Sequence, residues 1–223
     1  TSVTNKTAAA TGSDAQSDAS LRLQQAASTM LSSVVIMDGI TGGILSLSGV
    51  TNVQGYENDT DTTDSNGLPA NSIALVVEGG DASEIATVIA NKKTMGTPTY
   101  GTTTETITDS SGAQRSISFF RPAETQIYVT ITLKALTNYT TSIGSSAAQA
   151  VADYIAAQNI GSTIYTTRLY KPATLDDAAG GLTYDIVSIE IGTSASTVSA
   201  DNLALSFNER PNCTAANVTV NAS

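Results

Sequence analysis

Five consecutive apolar residues, Ile73-Ala74-Leu75-Val76-Val77, flanked by Ser72 and Glu78, constrain this chain more than any other stretch. Successive side chains of a strand point to opposite faces, so such a run needs apolar cover on both sides and belongs at the centre of a sheet. A second pattern makes a different demand. Ile127, Val129, Ile131 and Leu133 alternate with Tyr128, Thr130, Thr132 and Lys134, which predicts a strand with one face in the core and one face out.

Helical spacing and turn signals organise the remainder around these two strands. Residues 1–12 are small and polar without a period and read as an extended arm. Ser13 and Gln16 then suit a capping box, and Ala19, Leu23, Ala26, Met30 and Val34 predict a helix over 14–34. A second helix over 38–48 starts at Asp38 and puts Ile40, Ile44 and Leu47 on one side. Gly39, Gly42 and Gly43 each weaken it by about 1 kcal/mol relative to Ala. A strand over 50–58 and the apolar strand over 72–78 enclose the polar loop 58–69. Gly79-Gly80 break the second strand, Asp81 suits an N-cap with Glu84 three residues on, and Ile85, Val88 and Ile89 form the buried face of the helix that follows. Lys92 and Lys93 sit at its negative end before Gly96 and Pro98 stop it. Residues 102–109 and 113–120 read as a β-hairpin carrying Ile107, Ile117 and Phe119 around the turn Asp109-Ser110-Ser111-Gly112.

Pro122 marks a boundary. After it come the strand of Ile127 to Lys134 and a helix over 142–158 carrying Ile143, Ala147, Val151, Tyr154 and Ile155, ended by Asn159 and Gly161. Three more strands are expected from Val187, Ile189 and Ile191, from Leu203, Leu205 and Phe207, and from Val218 and Val220. The prediction is an α+β fold with an arm (1–12), a first domain (13–122) and a second domain (123–223), each domain a mainly antiparallel sheet with helices packed on one face.

Several chemistries are excluded by residues the chain lacks. Of 223 residues none is His, so Ser-His-Asp triads, Cys-His pairs and His-containing metal sites are out. The single Cys213 forms neither an internal disulfide nor a thiolate cage. A net charge of −10, with neither half basic, opposes nucleic-acid backbones and anionic lipid. The richest apolar run outside the central strand, Val34-Val35-Ile36-Met37, is far short of a bilayer span, and residues 1–12 lack the layout of a signal peptide. No Lys follows a Gly, and the Gly-x-Gly-x-x-Gly, Gly-x-Ser-x-Gly and Ser-x-x-Lys patterns are absent. The expectation is a protein that is not an enzyme and holds no cofactor, nucleic acid or membrane.

Two segments stand out as candidate contact surfaces. Loop 58–69 carries Asp59, Asp61 and Asp64 and ends at Pro69; its carboxylates resemble a hard-cation loop only weakly, because Asp64 stands where a Ca²⁺ loop needs Gly, and turn-forming Asp and Asn explain the composition. Tyr165-Thr166-Thr167-Arg168-Leu169-Tyr170-Lys171-Pro172 concentrates residue types common at interface centres, with Arg168 also placed to pair with Asp176, Asp177 or Glu190. Six Asn-x-Ser/Thr sequons, at Asn5, Asn58, Asn138, Asn212, Asn217 and Asn221, are what Thr-rich composition produces by chance.

The order of unusual segments is similar to one family. Ala10 to Asp18, Glu57 to Pro69, Val76 to Asp81, Lys92 to Gly101, Phe120-Arg121-Pro122, Arg168-Leu169-Tyr170 and Phe207-Asn208-Glu209-Arg210 together resemble the baseplate J-like proteins, wedge components of contractile phage tails and prophage-derived tail machines. The resemblance spans roughly residues 3–220 and rests on order and spacing rather than on one motif. It implies a structural role in a virion tail baseplate assembled in the bacterial cytoplasm, where such proteins join sheath-initiating and fibre-attachment parts to the hub and associate with wedge neighbours and with themselves. It also implies further chain before Thr1, and the glycines of the 38–48 helix depart from the helix formers expected of the family. The competing reading is a Thr-rich, β-containing surface adhesin or carbohydrate-binding module; a hydrolase using carboxylates alone is the third class.

Overall fold

The structure, a computed structural model, describes Arg22, Gln25 and residues 36–108, 111–175 and 183–223. The expected arm 1–12 and most of the expected helix 14–34 lie outside the described residues; Arg22 and Gln25 are helical. The fold is α+β, with four complete helices and twelve strands among the described residues.

The apolar run lies where its two-sided character requires. Strand β1 (Val50–Asn58) pairs antiparallel with β2 (Ser72–Gly79), and β3 (Thr99–Tyr100) adds in parallel to the other edge of β2. One face of this sheet is covered by α1 (Ile36–Leu45) and α2 (Ala82–Lys92), whose Ile40, Ile44, Ile85 and Ile89 close over Val53, Ile73, Leu75 and Val77. Ala74 and Val76 face the other way into a separate cluster with Leu68, Phe120 and Ile160. Helix α1 tolerates its glycines partly because Gly43 lies against α2: a Cβ there would sit 2.8 Å from Lys92 Cε and 2.9 Å from Val88 Cγ1. Among the described residues the helix already includes Ile36 and Met37, before the expected Asp38, and it ends at Leu45, leaving Leu47 beyond it. The hairpin forms as β4 (Thr103–Thr108) and β5 (Gln114–Phe119), with Ile117 and Phe119 buried.

In the second sheet β7 (Tyr128–Ala135) is central, between β9 (Tyr184–Gly192), antiparallel, and β12 (Val218–Ala222), parallel. Helices α3 (Thr141–Ala156) and α4 (Thr166–Ala173) lie over one face. Val129, Ile131, Leu133, Val151, Ile155, Leu169, Ile189 and Ile191 form its core. Short pairs complete this half: β6 (Ala123–Gln126) runs parallel to β11 (Glu209–Asn212), and β8 (Thr163–Ile164) antiparallel to β10 (Leu203–Ala204).

Three expectations are corrected. Val187 does not face the core with Ile189 and Ile191; a bulge shifts the register between Thr132↔Ser188 and Leu133↔Ile186, which leaves Val187 unpaired and 62 % exposed. The strand expected through Leu203, Leu205 and Phe207 shrinks to β10, and Phe207 instead joins the cluster of Val76 and Phe120. Residues 166–173, expected only as a contact segment, form α4. No helix among the described residues is long and apolar enough to cross a membrane.

Candidate functional site

The acidic loop is built from the inside outward. Asn58 is buried at the end of β1, and its Nδ2 donates to the carbonyls of Thr62 (2.8 Å), Leu68 (2.8 Å) and Pro69 (3.1 Å). Its Oδ1 accepts from Thr60 N (3.1 Å) and Thr60 Oγ1 (2.7 Å). The sequon at Asn58 is thereby closed to modification in the folded chain. Asp64 makes the second turn: its Oδ1 accepts from Asn66 N (2.9 Å) and Leu68 N (2.8 Å), while Gly67 takes a positive φ of 80° and Leu68 is fully buried. Asp64 is therefore a structural residue of the loop. Asp59, Asp61 and Pro69 are exposed, and the two carboxylates make no hydrogen bond or ion pair among the described residues. No group of three or more His, Cys, Asp or Glu among the described residues is arranged to hold a metal ion.

The second surface is the outer side of α4. Its start is held from a distance: Asn202 Oδ1 accepts from Thr166 N (3.1 Å), and Thr166 Oγ1 donates to Asp201 O (2.9 Å). Leu169 and Ala173 anchor the inner side. Tyr165, Arg168 and Tyr170 are exposed, and the Arg168 guanidinium lies over the Tyr165 ring, 4.7 Å from its centroid, rather than against Glu190. Asp176 and Asp177 lie outside the described residues. The two surfaces rest on different clusters, Leu68 on that of Val76 and Phe120 and Leu169 on the core of the second sheet.

A third region was not singled out from the sequence as a site. Tyr56, Phe120, Phe207 and Tyr100 form a chain of edge-to-face rings, with centroids 5.3 Å apart for Tyr56–Phe207, 5.4 Å for Phe120–Phe207 and 5.5 Å for Tyr100–Phe120. The Tyr56 hydroxyl donates to Phe207 O (3.0 Å), and burial raises its pKa above the ordinary value. Glu78 at the end of β2 pairs with Arg210 of β11. Arg121 donates to the carbonyls of Val77 (3.2 Å), Gly79 and Gly80 (2.9 Å) and lies 5.1 Å from the centroid of Phe119. Gly161, at φ 68°, is wedged here: a Cβ would lie 2.6 Å from Tyr56 Oη and 3.0 Å from Phe207 O. The signal for this junction was present in the even-numbered apolar residues of β2, which need a cover that the first half's helices cannot provide.

The single thiol offers no nucleophile. Cys213 is buried in the second core, and burial pushes its pKa up to about 11, so almost no thiolate is present near neutral pH. In comparisons with known proteins, no family model matches the chain and no curated protein matches it.

Proposed function

We propose that this chain is a structural component of a contractile-tail baseplate, working through protein–protein interfaces with hub, wedge, sheath-initiating and fibre-attachment proteins in a virion assembled in the bacterial cytoplasm. The observation that carries this reading is the ordered resemblance of segments dispersed over the chain, four of which meet in space. Parts of Glu57–Pro69, Val76–Asp81, Phe120–Pro122 and Phe207–Arg210 come together through Leu68, Val76, Glu78, Phe120, Phe207 and Arg210. Their meeting gives these dispersed segments one structural task, holding the two sheets together.

The exposed surfaces suit the same role. Loop 59–71 holds the free carboxylates of Asp59 and Asp61 on a frame fixed by Asn58 and Asp64, and α4 presents Tyr165, Arg168 and Tyr170 from an anchored helix. Groups already fixed in place lose little conformational entropy on docking. Deleting the gene for this chain from the phage or prophage, then imaging the particles by electron microscopy, should leave tails without baseplates, restored by the wild-type gene. Asp61→Ala and Arg168→Ala should each restore fewer complete particles. Normal baseplates in the deletion would overturn the reading.

A further inference from the structure

We propose that Asn66 is a modification site at which the chain converts its own amide to a carboxylate, at a rate set by the turn that Asp64 holds. The inference does not depend on the baseplate reading. Asn66-Gly67 is the only Asn-Gly pair in the sequence. Deamidation needs the backbone nitrogen of the next residue to reach the Asn carboxamide carbon, and a following glycine, having no Cβ, obstructs that approach least. Both residues are exposed here, and the Asn66 carboxamide makes no hydrogen bond among the described residues. A Cβ built at Gly67, whose φ is 80°, would meet nothing within 4 Å, so the ring that forms has room. Water is the sole co-reactant. Gly67 N bonds to Asn66 Cγ as the Cγ–Nδ2 bond breaks, ammonia leaves with the proton of that nitrogen, and water then opens the resulting succinimide at either carbonyl. One opening gives aspartate; the other gives isoaspartate, whose main chain runs through the former side-chain carbon.

The folded loop holds this reaction back. Gly67 N donates to Asp64 O (3.1 Å), so the attacking nitrogen is occupied, and Asp64 Oδ1 accepts from Asn66 N (2.9 Å) and Leu68 N (2.8 Å) on either side of it. Asp64 N donates in turn to Leu68 O (3.1 Å). Attack requires Gly67 N to leave Asp64 O and Asn66 to rotate about its Cα–C bond, which opening of the turn permits. The product does not fit the turn it came from. Isoaspartate adds a main-chain carbon between the two N–H groups that share Asp64 Oδ1, and either product sets a new carboxylate beside that of Asp64. Leu68, fully buried in one cluster with Ala74, Val76 and Phe120, then loses the turn that seats it. The modification is therefore a one-way loosening of the loop where it meets the junction between the sheets.

Incubating the full chain at mildly alkaline pH, folded and in denaturing urea, tests this by mass spectrometry of the fragment carrying Asn66, with circular dichroism as a fold control. Asn66 should deamidate in both conditions, at least about tenfold faster in urea, where the turn is gone. Asp64→Ala should speed the folded chain by at least about tenfold as well. Asp64→Asn, whose Oδ1 still accepts both N–H groups, should stay within about threefold of the wild type. If Asp64→Ala does not fold, Asp64→Asn and the urea comparison still decide the matter. The isoaspartyl form, purified by anion exchange, should unfold at lower urea than the fresh chain. No acid formed at Asn66 in either condition, equal rates folded and in urea, a folded Asp64→Ala no faster than the wild type, or an isoaspartyl form as stable as the fresh chain would overturn the proposal.

Discussion

The Oδ1 atom of Asp81 accepts from Ser83 N (3.0 Å), Ser83 Oγ (2.8 Å) and Glu84 N (3.1 Å) at the start of α2. These bonds, led by that from Glu84 N, hold the carboxyl below its ordinary pKa. A carboxylate whose pKa is lower folded than unfolded stabilises the fold above its unfolded pKa, and that contribution disappears as pH falls through the folded value. Urea unfolding of wild type and Asp81→Asn should therefore differ most at neutral pH, with the wild type the more stable, and should converge in acid. The glycines of α1 separate propensity from packing in the same way. No atom lies within 4 Å of a Cβ built at Gly39, so Gly39→Ala should raise stability by about 0.5–1 kcal/mol. Gly43→Ala should gain less or lose, because its methyl meets Val88 and Lys92 at under 3 Å. Thermal melts of both variants check this, and equal gains would show that the α1–α2 contact is not close.

Elements whose evidence is local were legible before the structure. The hairpin of β4 and β5 and the centre of β7 follow from alternation over neighbouring residues, and Asp81 supplies its own start signal three residues from Glu84. Helix α4 carries no such signal: Tyr165 makes no side-chain cap, Thr166 and Thr167 are weak helix formers, Pro172 sits in the last turn, and the cap comes from Asn202, 36 residues away. The parallel pairing of β6 with β11 is likewise remote, joining Ala123 to Glu209. Of the candidate sites, the turn-forming role of Asp64 was legible because an Asx turn is local, whereas the stacking of Arg168 on Tyr165 competed with several plausible carboxylates. The bulge in β9 was hidden because a period-two pattern read through Val187 looks uninterrupted. It has a direct consequence: Val187→Thr should change stability by less than about 0.5 kcal/mol, whereas Ile189→Ala should cost about 2–5 kcal/mol. Denaturant midpoints of the two variants decide it, and a large loss at Val187 would mean the strand runs without the bulge.

At the scale of the whole molecule the question is whether the two sheets unfold together. Each has its own buried cluster, and among the described residues what joins them is narrow: Ile160 and Phe207 packed on Leu68, Ala74, Val76, Phe120 and Tyr56, the Tyr56 hydroxyl on Phe207 O (3.0 Å), and the Glu78–Arg210 pair. The ion pair is partly exposed and contributes little, about 1 kcal/mol or less, so the coupling rests on the aromatic cover of Ala74 and Val76. Losing that cover exposes the second face of β2, which makes unfolding of one half costly to the other. The lone Cys213 reports on this, because it is buried in the second core, protonated at neutral pH and so labelled by thiol reagents only through opening. Ile85→Ala, a substitution in the first sheet's core, should cost about 3 kcal/mol. If the halves open as one, it raises the rate of Cys213 labelling roughly a hundredfold in the regime where reclosing outpaces labelling. Adding Phe207→Ala should weaken that transmission, so that Ile85→Ala then changes the labelling rate far less. An unchanged rate in Ile85→Ala alone would show that the halves open independently and that the aromatic junction is a contact without energetic consequence.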